Sequence, residues 1–266
     1  MADEEVAAKV ERFVAVFHSY VGAIASIALG ADDRRYRKIL YFTIIEGLAK
    51  ARYPKRRPAD AFSSFLVKYG GFPGGEKVSL PHLVSALERT SETEFDRLRD
   101  FAFDALREWS NGGPIGLDRD VDRAEVQRRW PKSPDGSDCK IPELSLHWTA
   151  LQHRSLLYAY RSKLTHESRE SSMSFETPAD VRPYYESVND GDISADAQET
   201  EWHLVYPSPF LAATCRTGID SLKAWLLENL VDPYGQFVFG RYLVEEFNDA
   251  SIPIKTPFRR RVDGRS

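Results

Sequence analysis

Apolar positions recur with a helical period along most of this chain. Val10, Phe13, Val14, Phe17, Val21, Ile24 and Ala28 form one stripe and predict a helix over residues 4–29 that stops at Gly30. Residues 13–29 are apolar enough to raise a membrane span, but His18, Ser19, Tyr20, Gly22 and Ser26 interrupt them. The stretch also falls at the short end of the ~17–25 residues that a span needs. A buried amphipathic helix is the better reading. Asp32 or Asp33 is placed to cap a second helix over residues 35–52, ended by Pro54 and Pro58. A short helix is expected over 60–69, stopped by Gly70 and Gly71, and another over 83–89, opened by Ser79-Leu80-Pro81.

Ser91 and Glu94 have capping-box spacing ahead of Phe95, Leu98, Phe101, Ala102, Ala105, Leu106 and Trp109, which predict one more helix. Residues 111–142 are rich in Gly, Pro and charge and read as mostly irregular. A helix is expected over 145–165, a polar acidic stretch over 170–201, and a short strand over 202–206. Pro207-Ser208-Pro209 leads into a long apolar-periodic helix over 210–230. Residues 234–246 read as a last helix or an extended aromatic segment, and the tail from Thr256 as basic and loose. The sum is an all-α helical bundle with minor β and irregular loops. Its organisation is a single domain over 1–255, with a loop insertion around 111–142 and a basic tail at 256–266.

Composition narrows the class. A chain of 266 residues with 42% hydrophobic and 12% aromatic content can bury a sizeable core and is not disordered as a whole. Its two cysteines, Cys139 and Cys215, lie far apart without CxxC spacing. That argues against a zinc ribbon or disulfide scaffold and fits a reducing, cytoplasmic setting. The acidic start, Met1-Ala2-Asp3-Glu4-Glu5, is unlike a secretory leader. A net charge of −4 rules out coating nucleic acid by bulk charge. The charge is uneven, however. Nine basic residues between Arg34 and Arg57 face Glu46 alone, while eight acids between Glu176 and Glu201 face Arg182 alone. Such runs are either solvated helix faces or local fields that attract a phosphate-bearing partner.

The segment that carries chemistry is Leu156-Leu157-Tyr158-Ala159-Tyr160-Arg161-Ser162-Lys163-Leu164-Thr165-His166-Glu167. Histidine suits proton transfer near neutral pH. Arginine carries a permanent charge on a fork that fits phosphate oxygens. RNA supplies its own nucleophile in the 2′-hydroxyl, so a base, an acid and a positive charge suffice to cleave it. Positions five apart on an ideal helix are rotated by about 140° at ~100° per residue. Hence either the helix ends before His166, or the Arg161 side chain reaches around, and a dimer supplying each residue twice eases the problem. The alternative is an arginine snorkelling at a bundle surface beside a histidine that complements a helix C-terminus.

Arg161 and His166 resemble the Arg-x4-6-His motif of the HEPN superfamily of helical nucleotide-binding domains. Ser162 and Leu164 occupy the positions where that family often has a polar and an apolar residue, although asparagine is commoner than serine after the arginine. The resemblance implies a helical bundle that often dimerises, with the two motifs meeting at a composite cleft. It implies either a metal-independent ribonuclease, frequently a toxin or phage-defence effector, or a catalytically inactive binding module. On that reading Arg161 stabilises phosphate, His166 moves protons and Ser162 supports them.

Glu46 is the second candidate. It sits on a helix that is apolar nearly all round, where an unpaired buried carboxylate is costly. Arg161 or His166 is a natural partner, and HEPN-like domains often carry an acidic residue on an early helix near the motif. An exposed glutamate beside Lys50 is the rival. His153 precedes Arg161 by two turns and is placed to share its stripe; His147, His18, His82 and His203 lack ligand spacing and read as structural. Tyr158, Tyr160, Tyr184 and Tyr185 are able to stack on bases, with packing favoured for the first two. Cys215 reads as packing. The sequence contains no phosphate-binding glycine loop, GxSxG or HExxH. The expectation is therefore a HEPN-like, metal-independent endoribonuclease without cofactor. RNA would be its substrate, a homodimer its assembly, and an antitoxin or defence-operon protein a possible partner, with no membrane. The rival is an inactive protein- or nucleotide-binding module.

Overall fold

The computed structural model describes residues 2–28, 30, 33–110, 113–168, 176, 180–188 and 201–236. Among them are eight α-helices: α1 (Ala2–Ala25), α2 (Asp33–Arg52), α3 (Pro58–Lys68), α4 (Leu80–Glu88), α5 (Asp96–Arg107), α6 (Arg123–Arg129), α7 (His153–Glu167) and α8 (Ser208–Glu228). Three short strands join them: β1 (Ile115–Gly116), β2 (Tyr184–Val188) and β3 (Glu201–Val205). They form one antiparallel sheet in the order β1-β2-β3, with Tyr185 opposite Leu204 and Glu186 opposite His203. The fold is mostly helical with a small sheet. No helix among the described residues is long and apolar enough to cross a membrane.

Helix α2 is the axis of the bundle. It buries Lys38, Tyr41, Phe42, Ile44, Ile45, Leu48, Ala49 and Ala51, which leaves little of its circumference free. It packs against α1, α3, α7 and α8. Helix α8 presses Phe210, Leu211, Cys215, Ile219, Leu222 and Leu226 into the same core. Close approach of α3 and α8 depends on Gly218, where a Cβ would stand 2.8 Å from a Phe65 ring carbon. Phe62 of α3 is a wedge between α2 and α7, with ring centroids 6.2 Å from Phe42 and 5.4 Å from Tyr158. Helices α4 and α5 pack together and carry α6 at one end.

Several boundaries depart from the sequence pattern for physical reasons. Helix α1 ends at Ala25 rather than residue 29, where the Ser26 hydroxyl donates to the Ala23 carbonyl. Helices α3 and α4 start two and three residues early, with proline in the first turn of each, where no intrahelical N–H is lost. The Ser91–Glu94 capping box does not form. A 3₁₀ turn at Thr93–Phe95 precedes α5, and no side chain caps it. The expected helix over 145–165 starts only at His153. Ser145 is left-handed at φ 50°, a 3₁₀ turn spans Trp148–Leu151, and the extended Gln152 bridges Val78. The 111–142 stretch is more ordered than its composition implies, holding β1, α6 and a bridge from Val121 to Val78. Strand β2 lies inside the stretch read only as polar and acidic. At 233–236 there is a 3₁₀ turn, Pro233–Gln236; the rest of the expected last helix, and the basic tail at 256–266, lie outside the described residues.

Candidate functional site

Helix α7 runs unbroken through His166 to Glu167 and stops at Ser168, a left-handed cap whose N–H donates to the Lys163 carbonyl. His153, Leu157, Tyr160 and Leu164 repeat at three- and four-residue spacing and turn one face of α7 into the core. Tyr160 anchors that face to α2: its ring meets Phe42 edge-on at 5.9 Å, and the Lys38 ammonium donates to its hydroxyl at 3.3 Å. This packing fixes Arg161 beside α2, where its Nη2 donates to Glu46 Oε2 in an ion pair. The other terminal nitrogen, Nη1, lies 3.4 Å from His166 Nε2. The helix therefore does not end before His166. The long arginine side chain spans the rotation between them.

The cluster grades from inside to outside. The side chain of Arg161 is 16% exposed and that of Glu46 28%, while His166 is exposed. Arg161 also lies 5.9 Å from the Tyr158 ring centroid, and its buried Nε finds no acceptor. Glu46 pairs with Arg161 and not with Lys50. Ser162 is half-buried one residue on, and no hydrogen bond joins it to the other three. Glu46, Arg161 and His166 are thus brought together within one protomer, and Ser162 stands apart from their bonds.

His153 does not share the Arg161 stripe. It is fully buried, with Nε2 2.6 Å from Asp120 Oδ2 and Nδ1 3.2 Å from the Tyr206 hydroxyl. Asp120 also accepts from the Leu80 backbone at 2.8 Å and from the Tyr185 hydroxyl at 2.9 Å. Tyr185 Oη is 2.7 Å from Ser79 Oγ, which is itself 2.7 Å from His82 Nδ1. Burial drives the Tyr185 and Tyr206 hydroxyls well above their ordinary range, with the Asp120 carboxylate adding to it, so both stay protonated. His82 is lowered to about 4, chiefly by burial and next by the neighbouring His153, with Asp120 opposing. Its imidazole is neutral at physiological pH.

Sequence reasoning missed this network. Its members come from five separate stretches of the chain, at residues 79–82, 120, 153, 185 and 206, and none has a local motif. Tyr184 and Tyr185 are buried. Cys215 is buried, and burial pushes its thiol upward, as a packing role requires. Among the described residues, no group of three His, Cys, Asp or Glu side chains is arranged to hold a metal ion.

Compared with models of known protein families, with curated proteins and with solved structures, the chain matches none.

Proposed function

We propose that this chain is a HEPN-like, metal-independent endoribonuclease acting in the cytoplasm. One observation carries the reading: a single guanidinium, that of Arg161, bonds to the Glu46 carboxylate and reaches the His166 imidazole. Arginine has only donors, so the contact at Nε2 uses the lone pair of a His166 that carries its proton on Nδ1. That lone pair is the one a base needs. When a phosphodiester draws the Arg161 fork onto its oxygens, His166 Nε2 is released to take the 2′-hydroxyl proton. The 2′-oxygen attacks phosphorus, Arg161 offsets the charge gathering on the phosphoryl oxygens, and the 5′-oxygen leaves with a proton returned by the imidazolium. The products are a 2′,3′-cyclic phosphate and a 5′-hydroxyl. Glu46 holds Arg161 in place before the strand arrives.

The exposed cations of the basic run, Arg34, Lys50, Lys55, Arg56 and Arg57, support the reading as a field that attracts a polyanion, whereas Lys38 is buried against Glu176. A homodimer, and an antitoxin or defence-operon protein as regulator, follow from the family resemblance. The test is incubation of the purified chain with total cellular RNA in EDTA, beside His166→Ala and Arg161→Ala. Cleavage by the parent that both variants lose upholds the proposal. Equal cleavage by all three, or none by the parent, overturns it.

A second reading is favoured by the burial of Arg161 and by its pairing with Glu46, which neutralises its charge. On that reading the chain is an inactive module that binds a protein or nucleotide. It predicts no cleavage, with partner binding indifferent to His166→Ala.

A further inference from the structure

A Cβ on Gly47 of α2 would stand 3.4 Å from the Phe17 ring of α1, and the Arg37 guanidinium donates to the Ile27 carbonyl, so the two helices run antiparallel. Helix α8 covers one side of their seam: Glu11 and His18 of α1 meet Lys223 and Asp220, and the Tyr41 carbonyl of α2 accepts from the Cys215 thiol. The other side is apolar and partly open to water. Val16 and Tyr20 stand two residues either side of His18, a rotation of ~200° each way at ~100° per residue. They are 42% and 53% exposed. On α2, Leu40 is 37% exposed and shares its stripe with Thr43 and Gly47. The Thr43 hydroxyl is satisfied by the Ile39 carbonyl at 3.1 Å and needs no partner in the seam.

A row of rings leads into this open side. Tyr234, Phe13, Phe17 and Tyr20 follow one another with centroids 5.7, 4.7 and 6.1 Å apart. Tyr234 stands on the 3₁₀ turn Pro233–Gln236, which packs on both α1 and α2. Asp232 pins that turn by accepting from Lys9 Nζ and from the Tyr234 N–H, both at 2.9 Å. The chain therefore passes Gln236 at the covered end of the row, and Phe17 and Tyr20 continue the row beyond it. Residues 237–247, which lie outside the described residues, match the surface in composition. Seven of these eleven are apolar or aromatic: Phe237, Val238, Phe239, Tyr242, Leu243, Val244 and Phe247. The reach suffices in any conformation. From Phe13 to Tyr20 is ~10 Å along α1, whereas eleven residues span ~16 Å as a helix and ~36 Å when extended.

We propose that the open side of the α1–α2 seam is a docking surface for residues 237–247 of the same chain, whose apolar side chains cover Val16, Phe17, Tyr20 and Leu40. Contiguous apolar side chains facing water mark an interaction face, and their burial drives the docking. The tether at Gln236 decides the occupant, because a linked segment meets the surface at a high effective concentration that a second copy or a separate protein lacks. The inference stands whether or not Arg161 and His166 cleave RNA.

The experiment is photo-cross-linking of the full chain carrying Tyr20→p-benzoylphenylalanine, with Arg97→p-benzoylphenylalanine, at an exposed position of α5, as the control. Peptides of the cross-linked monomer are mapped by mass spectrometry. The expected result is a cross-link from position 20 into residues 237–247, with a yield independent of protein concentration, and none from position 97. Phe239→Glu with Leu243→Glu carries two carboxylates into the apolar seam, so the cross-link is lost and amide hydrogen exchange speeds up over residues 13–24 and 36–47. Val16→Glu, at an exposed position that cannot unfold the core, gives the same loss from the other side of the contact. A cross-link from position 20 found only to a second copy overturns the proposal and assigns the seam to an interface between copies. Absence of any cross-link into 237–247 overturns it, as does one that neither Val16→Glu nor the double variant weakens.

Discussion

Arg161 Nη1 stands 3.4 Å from His166 Nε2, five residues on, along a helix that ideal geometry rotates them around. The contact joins a partly buried, permanently charged group to an exposed one that can exchange protons. If it forms the centre of a ribonuclease, the two residues fail differently on substitution. His166→Ala removes proton transfer and lowers the cleavage rate by about 10²–10⁴-fold with little change in RNA affinity. Because His166 is exposed, the thermal midpoint moves by no more than the effect of ~0.5 kcal/mol. Arg161→Ala lowers the rate by about 10²–10³-fold and weakens RNA binding as well. Single-turnover cleavage in EDTA, with circular dichroism melts of each variant, separates the two patterns.

Glu46 is predicted to be a positioning residue. Glu46→Ala leaves the Arg161 guanidinium partly buried without its carboxylate, at a cost of about 1–3 kcal/mol in urea unfolding. Glu46→Gln retains an acceptor of similar shape and recovers most of that stability. A merely structural role would restore cleavage along with stability. A positioning role leaves Glu46→Gln slow, about tenfold down in kcat, while KM falls because a negative charge has gone from beside the phosphate site. The split between kcat and KM is the deciding measurement.

How far the site could be read from the chain differs residue by residue. For Glu46 the sequence left two readings level, a partner in Arg161 or His166 and an exposed place beside Lys50, and the packing of α7 on α2 decides for Arg161. The Arg161–His166 pair was legible as a motif, but its closure was not, because helical rotation alone sets the two apart. The start of α7 was misplaced by eight residues. The apolar period extends upstream of His153, but Gln152 is drawn into an extended bridge with Val78, a pairing 74 residues distant in sequence that no local pattern encodes. The same applies to Asp120. Its segment looks like a loop by composition, and only the arrival of Tyr185 and His153 makes its carboxylate the hub of a buried network.

His82 makes stability depend on acid. Its folded value of about 4 lies below the ordinary 6.5, so between those values the unfolded chain binds more protons than the folded one. Stability from this group is therefore complete above pH 6.5 and falls as the pH drops toward 4. A shift of that size corresponds to roughly 3 kcal/mol, and partial exposure reduces it toward ~2 kcal/mol. His82→Gln does not titrate. Urea midpoints measured from pH 7 to pH 4 are expected to fall less steeply in His82→Gln than in the parent. Parallel curves would place the acid sensitivity elsewhere.

A buried ion pair bears on the helix that carries Arg161. Lys38 and Glu176 form an ion pair in which each side chain is only 4% exposed. Glu176 Oε2 also accepts the Ser208 backbone N–H at 2.9 Å, so the same carboxylate satisfies a donor at the start of α8. Lys38 further donates to Tyr160 and thereby ties the pair to the helix that carries Arg161. Desolvation offsets much of the attraction in such a pair, but removing the lysine leaves the buried carboxylate without this cation. Glu176→Leu is expected to cost about 1–3 kcal/mol, because it leaves the buried Ser208 N–H without its acceptor. Lys38→Met alone should cost a comparable amount, because it leaves the carboxylate buried. The double variant Lys38→Met, Glu176→Leu should cost little more than Glu176→Leu alone, giving a coupling of at least ~1–3 kcal/mol in a double-mutant cycle followed by urea unfolding. Additive losses would mean that the two charges act independently, with the carboxylate serving α8 alone.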